Sequence, residues 1–522
     1  MKFFLFNIQY KLFKIIKHYS TYGLAIFFLF ISFTHTAQNI KKIELVNANL
    51  IDYDEMRYGK NIRRMVGNVT LKHENAILTC DSAYYNTEQN DVQMYGNVHI
   101  NFSDTIHLYG KYIGYSGNTR IAKVRNDVTL THKKATLYCD SLNYDRTTHI
   151  AYYFNYGKII SNQSVLVSQW GYYYAHLRDF VAVKNVILTH PQYKMFSDSL
   201  RYNIQSGIST FYGPSKIIGD TNLIYCENGW YDTKKDISRF SKNAYLWSKN
   251  KLLKGDSLFY DRGKQYGIAT KNVSLIDSIN KIIIKGNYGR YHEKPDKAFM
   301  TDSALFVAIQ DSTDTLYLHA DTLYYITTTD SLKYLKAYYH VKMYKNDLQG
   351  ACDSLVYSVR DSVMELFKVP ILWSEQHQLT AKQIKIFFRN DSIFKIFLND
   401  IAFIISHEDS SLFNQIKGKT MTGYFKNNKL YKVDVKGNGQ TIYYPKDNNE
   451  IIGANKAESS DITIFIENNE IKKIIFLKQP NATLYPINQI NPVEFRLDYF
   501  KWYENIRPLK AADIFKKNIN LP

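Results

Sequence analysis

The chain has only four cysteines in its 522 residues. None stands in a Cys-x-x-Cys spacing, which argues against the usual structural zinc centre. The ten prolines are scattered, and no Pro/Gly/Ser-rich linker or low-complexity tail cuts the chain into conventional domains. The sequence has no Gly-x-Ser-x-Gly elbow, no His-Glu-x-x-His and no Gly-x-x-x-x-Gly-Lys loop, and its fourteen histidines do not cluster. The common hydrolase, metalloprotease and nucleotide-binding readings therefore lose their chemistry. Past the first 31 residues no apolar run is long enough to cross a membrane as a helix. The repeats described next show no helical periodicity.

What the chain has is repetition. A phrase reads Cys80-Asp81-Ser82-Ala83-Tyr84-Tyr85-Asn86 and returns as Cys139-Asp140-Ser141-Leu142-Asn143-Tyr144-Asp145. It returns again around Asp198 and Asp256, with weaker copies at Asp321 and Asp353. From Asp81 to Asp256 the spacings are 59, 58 and 58 residues, twice a period of about 29, with degenerate copies between. A fixed period of this size means stacked copies of one supersecondary unit.

A second phrase interleaves: Gly67-Asn68-Val69-Thr70-Leu71, Gly96-Asn97-Val98-His99-Ile100 and Asn126-Asp127-Val128-Thr129-Leu130, then Lys184-Asn185-Val186-Ile187-Leu188 and Lys271-Asn272-Val273-Ser274-Leu275. Asn, Gly or Asp before alternating apolar residues reads as a turn releasing a strand, giving two strands per repeat. In the first phrase the apolar face changes parity at Asp-Ser. Leu78 and Cys80 share one face and Ala83 and Tyr85 continue it after an odd step, so a bulge or corner bends each strand. The expected fold is all-β, an elongated β-jellyroll or solenoid-like stack of ~29-residue two-strand repeats.

Lys2, Lys11, Lys14 and Lys17 lead into an apolar run from Leu24 to Ile31, which reads as a signal sequence ending near Ala37, or as an uncleaved anchor. The expected organisation is a signal peptide over 1–37, repeats over 38–486 and a C-terminal cap over 487–522. Cys80, Cys139, Cys226 and Cys352 share one slot in separated repeats. Cys80 and Cys139 would sit roughly 20 Å apart at ~4.8 Å per strand, far beyond disulfide reach, so four buried free thiols are expected. The net charge of +18 includes the four leader lysines. It is read mainly as a solvated lysine-rich exterior, with attraction to phosphorylated or membrane-surface partners as the sharper alternative. The corner aspartates are read as hydrogen-bonding nearby backbone N–H groups rather than as metal ligands or acid/base groups, and the tyrosine row as packing inside the sheet or lining its rim.

The two phrases, in register after a signal sequence, resemble the OstA-like family, which includes LptA and the N-terminal domain of LptD in lipopolysaccharide transport. The resemblance covers roughly residues 40 to 400. It implies a β-jellyroll whose apolar interior carries acyl chains, with sugars and phosphates outside. Carried over position by position, the groove-lining candidates are Val69, Leu71, Val98, Ile100, Val128, Leu130, Val186, Leu188, Val273 and Leu275. Leu142, Tyr144, Leu200, Tyr202, Leu258 and Tyr260 join them from the first phrase. The chain departs from the family in being longer than a usual LptA and in lacking the LptD translocon domain.

The resulting expectation is a non-enzymatic periplasmic protein, free or associated with the outer membrane, that binds lipopolysaccharide or a related glycolipid and bridges the two membranes. Its partners would be inner- and outer-membrane transport components paired through open strand edges, and further copies of itself end to end. No cofactor, metal or nucleic acid is implied. The alternative is a structural or surface β-repeat rod or adhesin with a filled interior and no lipid. An apolar groove suits lipid cargo because each acyl CH₂ left in water costs about 0.8 kcal/mol.

Overall fold

The computed structural model describes residues 41–516 except 104, 162, 249, 310–314, 329–331, 391, 410, 449 and 469. The expected signal sequence lies outside the described residues. Residues 41–131 with 143–148 form one compact unit, and residues 132–142 with 149–516 a second.

The first unit is built from the strands Ile62–His73, Ala76–Asn86, Asp91–Ser103 and Ile106–Ser116, each antiparallel to the next. A one-turn helix, Glu55–Tyr58, precedes them and is capped by Asp54, whose carboxylate accepts the Arg57 N–H at 3.1 Å. The second unit continues the same pattern, for example through Asp179–His190, Tyr193–Asn203, Ile208–Gly219, Asn222–Asp232 and Ile237–Ser248. The period of about 29 residues is therefore two strands and two hairpin turns.

The second phrase does something other than expected. Gly67-Asn68 does not start a strand. It lies in the middle of Ile62–His73, where pairing with the neighbouring strand jumps from Val66↔Ser82 to Val69↔Cys80. Two residues there oppose one, Asp81, which is a bulge. Both bulge residues have positive φ, +79° at Gly67 and +47° at Asn68. The same pair of left-handed residues recurs at Asn126-Asp127, Lys184-Asn185, Lys242-Asn243 and Lys271-Asn272. Asn and Asp tolerate this region best among residues with a Cβ, which accounts for their place in the phrase. The parity change at Asp-Ser is the other half of the same corner: Cys80 and Ala83 both face inward.

The hairpin turns are made by the last residue of the first phrase. The Asn86 carboxamide oxygen accepts the N–H groups of Glu88 and Gln89 at 3.0 and 2.9 Å. Asp145 does the same for Thr147, Asn203 for Ser206, and Asp232 for Lys234 and Lys235. A short side chain that satisfies two turn N–H groups is what a tight connection needs.

Past Pro486 the chain leaves the repeat pattern. Residues 487–516 carry three short 3₁₀ turns and run back along the second unit, where Leu497, Ile506 and Ile514 are buried.

Candidate functional site: an apolar interior and its polar seam

One row of inward side chains in the first unit reads Leu71↔Leu78↔Ile100↔Leu108 across four paired strands. All four are fully buried. The matching row in the second unit runs Leu188↔Met195↔Ile217↔Ile224↔Leu246↔Leu253↔Leu275↔Ile284↔Phe306↔Leu318 without a polar member. Each large aliphatic side chain removed from water contributes about 1.5–3 kcal/mol, so these rows hold the strands in register.

Fifteen of the sixteen groove candidates are buried: Val69, Leu71, Val98, Ile100, Val128, Leu130, Leu142, Tyr144, Val186, Leu188, Leu200, Tyr202, Leu258, Val273 and Leu275. Tyr260 is half-buried, and its hydroxyl donates to Glu293 at 3.3 Å. Burial and the neighbouring carboxylate push its phenol up to about 12. Tyr144 is pushed equally high by burial and packs on Phe102 with ring centroids 4.8 Å apart.

The interior is not uniform. Over Ile208–Asp277 many inward positions are small: Ser209, Ser215, Gly229, Ala244, Gly255 and Gly267. There Ile224, Leu246 and Leu253 are only half-buried, whereas their first-unit counterparts are sealed.

Because each strand bends at its bulge, its two ends approach each other, and a polar seam joins them. In the first unit His73 Nδ1 lies 2.8 Å from the Tyr115 hydroxyl, and Glu74 pairs with Arg120 at 2.7 Å and Arg146 at 3.0 Å. In the second unit His132 Nδ1 lies 2.5 Å from the Tyr173 hydroxyl, Arg262 donates to Gln192 at 3.1 Å, and Lys251 meets Asp296 at 3.2 Å. Each contact joins opposite ends of strands two to five apart in sequence. Burial holds the His73 and His132 imidazoles below their usual range, which favours the neutral rings that these hydrogen bonds use. Sequence reading missed this seam. The only signal was a His or charged residue recurring at the strand ends.

The corner aspartates are outside. Asp81 is exposed and accepts from the Asn97 N–H at 3.0 Å and its carboxamide at 3.1 Å. Asp256 accepts from the Asn272 carboxamide at 3.1 Å. The Asp thus ties one strand's corner to the next strand's bulge. Among the described residues no group of His, Cys, Asp and Glu is placed to hold a metal ion. None of the four cysteines is disulfide-bonded. Cys80, Cys226 and Cys352 are buried, and burial pushes the thiols of Cys80 and Cys226 up to about 12. Cys139 is partly accessible, which corrects the expectation of four buried thiols. Its neighbour Asp140 is exposed at the corner.

An all-β stack of two-strand repeats, bent at paired bulges around an apolar interior, is the class of protein that these features define. Residues 40–198 and 183–309 match the family model described as OstA-like protein. Together they span more than half of the chain, and the chain belongs to this family. Proteins of the family are transport components rather than enzymes. One similar solved structure is LptH of Pseudomonas aeruginosa, "the LptA homologous periplasmic component of the conserved lipopolysaccharide transport device", with 11% identity, 20% of this chain and 81% of that chain covered, and a TM-score of 0.20. No curated protein matches the chain.

Proposed function

We propose that this chain is a periplasmic component of lipopolysaccharide transport that carries lipopolysaccharide or a related glycolipid with its acyl chains in the repeat interior. The observation that carries the reading is the unbroken inward row from Leu188 to Leu318. Equivalent apolar positions in successive repeats give nearly equal binding energies, so an acyl chain moves between them without leaving a deep well. Family membership supports the transport role, and the small inward residues over Ile208–Asp277 supply the room. The protein needs no catalytic group for this work, and the energy comes from elsewhere.

Partners dock at the strand edges. In the first unit Val46, Leu50 and Ile51 are 61%, 55% and 52% exposed on edge strands, and in the second Leu477 and Leu484, also on edge strands, are 43% and 56% exposed. Open apolar edges are templates for a further strand, from a transport partner or from another copy.

One observation favours the rod reading: Val98, Val186 and Val273 are each only 2% exposed, so a lipid enters there only by parting the strand ends along the seam. Photo-crosslinkers at these three valines decide the matter. Lipid adducts there, with none at the exposed corners Asp81 and Asp256, are the expected result. Adducts at none of the three valines, with no lipid co-purifying by mass spectrometry, would establish the filled rod.

A further inference from the structure

The outer face of the second unit carries a second registered row, one residue away from the inward one. It reads Ile218↔Leu223↔Trp247↔Leu252↔Ile276↔Ile283 across consecutive strands. Ile218 and Trp247 are 42% and 54% exposed, and the other four are half-buried. Five strand spacings make this row about 24 Å long. The equivalent register in the first unit is Lys72↔Ile77↔Asn101↔His107, which is mostly polar. An outward apolar row is therefore not a demand of the fold.

The same row continues through Val307↔Tyr317↔Tyr344↔Gln349↔Trp373↔Gln378↔Ile405↔Gln415↔Ile442. Along its last part it is covered by the C-terminal segment, and the covering has a recognisable chemistry. Gln415 donates to the Phe495 carbonyl at 2.9 Å and accepts the Leu497 N–H at 2.8 Å. Gln378 does the same with the Lys501 carbonyl and the Tyr503 N–H, both at 2.7 Å. Buried glutamines alternate with apolar residues there, and the amides read a peptide backbone.

From Ile218 to Ile283 the row contains no amide. The adjacent outward row is Lys216↔Tyr225↔Tyr245↔Lys254↔Ser274↔Lys285. Its three lysines are exposed, and Tyr225 and Tyr245 stack with centroids 5.2 Å apart. Of the carboxylates around this face, Glu227 and Asp256 lie at the corner, each engaged by an asparagine carboxamide, and Asp220 stands exposed in the turn two residues past Ile218. An apolar strip flanked by tyrosines and a line of lysines matches an interface between acyl chains and anionic headgroups, not a peptide backbone.

We propose that the face bearing Ile218, Leu223, Trp247, Leu252, Ile276 and Ile283 docks the protein onto an anionic lipid bilayer surface. The apolar row enters the headgroup boundary while Lys216, Lys254 and Lys285 meet the phosphates. The site lies on the outside of the sheet and holds equally for a lipid conduit or a filled rod, so its failure is distinct from failure of the transport reading.

The test is flotation of the full chain with vesicles of phosphatidylcholine, with and without phosphatidylglycerol. Binding to the anionic vesicles and a blue shift of tryptophan emission are expected, both lost in Trp247→Ser with Leu252→Ser. Replacing Lys216, Lys254 and Lys285 with Gln should lower the partition constant on the order of 100-fold, ~5-fold per lysine. The three lysines and Trp247 are exposed and Leu252 is half-buried, and circular dichroism checks that the variants fold. Equal binding to neutral vesicles, or binding that survives the Trp247/Leu252 change, overturns the proposal. So does vesicle-independent self-association, seen by sedimentation, that the Trp247/Leu252 change abolishes. That result would make a second copy the occupant.

Discussion

Replacing Gln378 with Met removes two hydrogen bonds without changing the volume much. Gln378 is fully buried and holds the Lys501 carbonyl and the Tyr503 N–H, each at 2.7 Å. Methionine leaves both backbone groups without a partner on a face closed to water. Each orphan costs about 1–3 kcal/mol, and relief of the glutamine's own desolvation offsets part of that. A net loss of ~2–4 kcal/mol follows, against a segment held by Leu497, Ile506 and Ile514 at about 1.5–3 kcal/mol each. The loss falls on the C-terminal segment rather than on the strand stack, because every affected partner lies between 495 and 516. Amide exchange at residues 497–507 should therefore accelerate by roughly 30- to 1000-fold, tenfold for each 1.4 kcal/mol, while amides of the inward rows stay protected. Gln415→Met should act alike through Phe495 and Leu497. The two effects should add, since the glutamines sit two strands, roughly 10 Å, apart. Unchanged exchange at 497–507, or loss of protection throughout the second unit, would refute the idea of a separately clamped strap.

Three further outcomes are expected. His377 is pushed down to about 4 by burial, so the unfolded chain takes up its proton first. Its contribution to stability is complete above pH 6.5 and fades as the pH falls toward 4, by about 3 kcal/mol in all; thermal melts of His377→Gln should lack that part of the acid slope. Gly96 has φ +95°, and a Cβ there would stand 2.2 Å from the Asp81 carboxylate, so Gly96→Ala should lower stability by ~1–3 kcal/mol; an unchanged denaturation midpoint would mean the corner yields freely. Maleimide should label Cys139 in the folded protein and Cys80, Cys226 and Cys352 only after unfolding, counted by mass spectrometry.

The sequence by itself determined the period, the class of fold and the identity of the inward face. These are local matters: alternation at period two, Asn and Asp where the backbone must turn left-handed, and an Asn or Asp able to cap a turn. Leu71, Val98, Val186 and Leu200 were legible as interior for that reason. The same local logic misplaced the Gly-Asn phrase, because a left-handed pair makes a hairpin turn or a mid-strand bulge, and only pairing with both neighbours says which. Tertiary structure alone decided the rest. The seam depends on strand ends some forty residues apart meeting after each strand bends, as His73 meets Tyr115. The strap depends on glutamines 80 and more residues from the backbone they hold, as Gln415 holds Leu497. The outer row from Ile218 to Ile283 was written in the sequence as adjacent apolar pairs, Ile217-Ile218, Leu223-Ile224, Leu246-Trp247 and Leu252-Leu253. Which member of each pair faces in follows only from the register across strands, because a shift of one residue exchanges the faces.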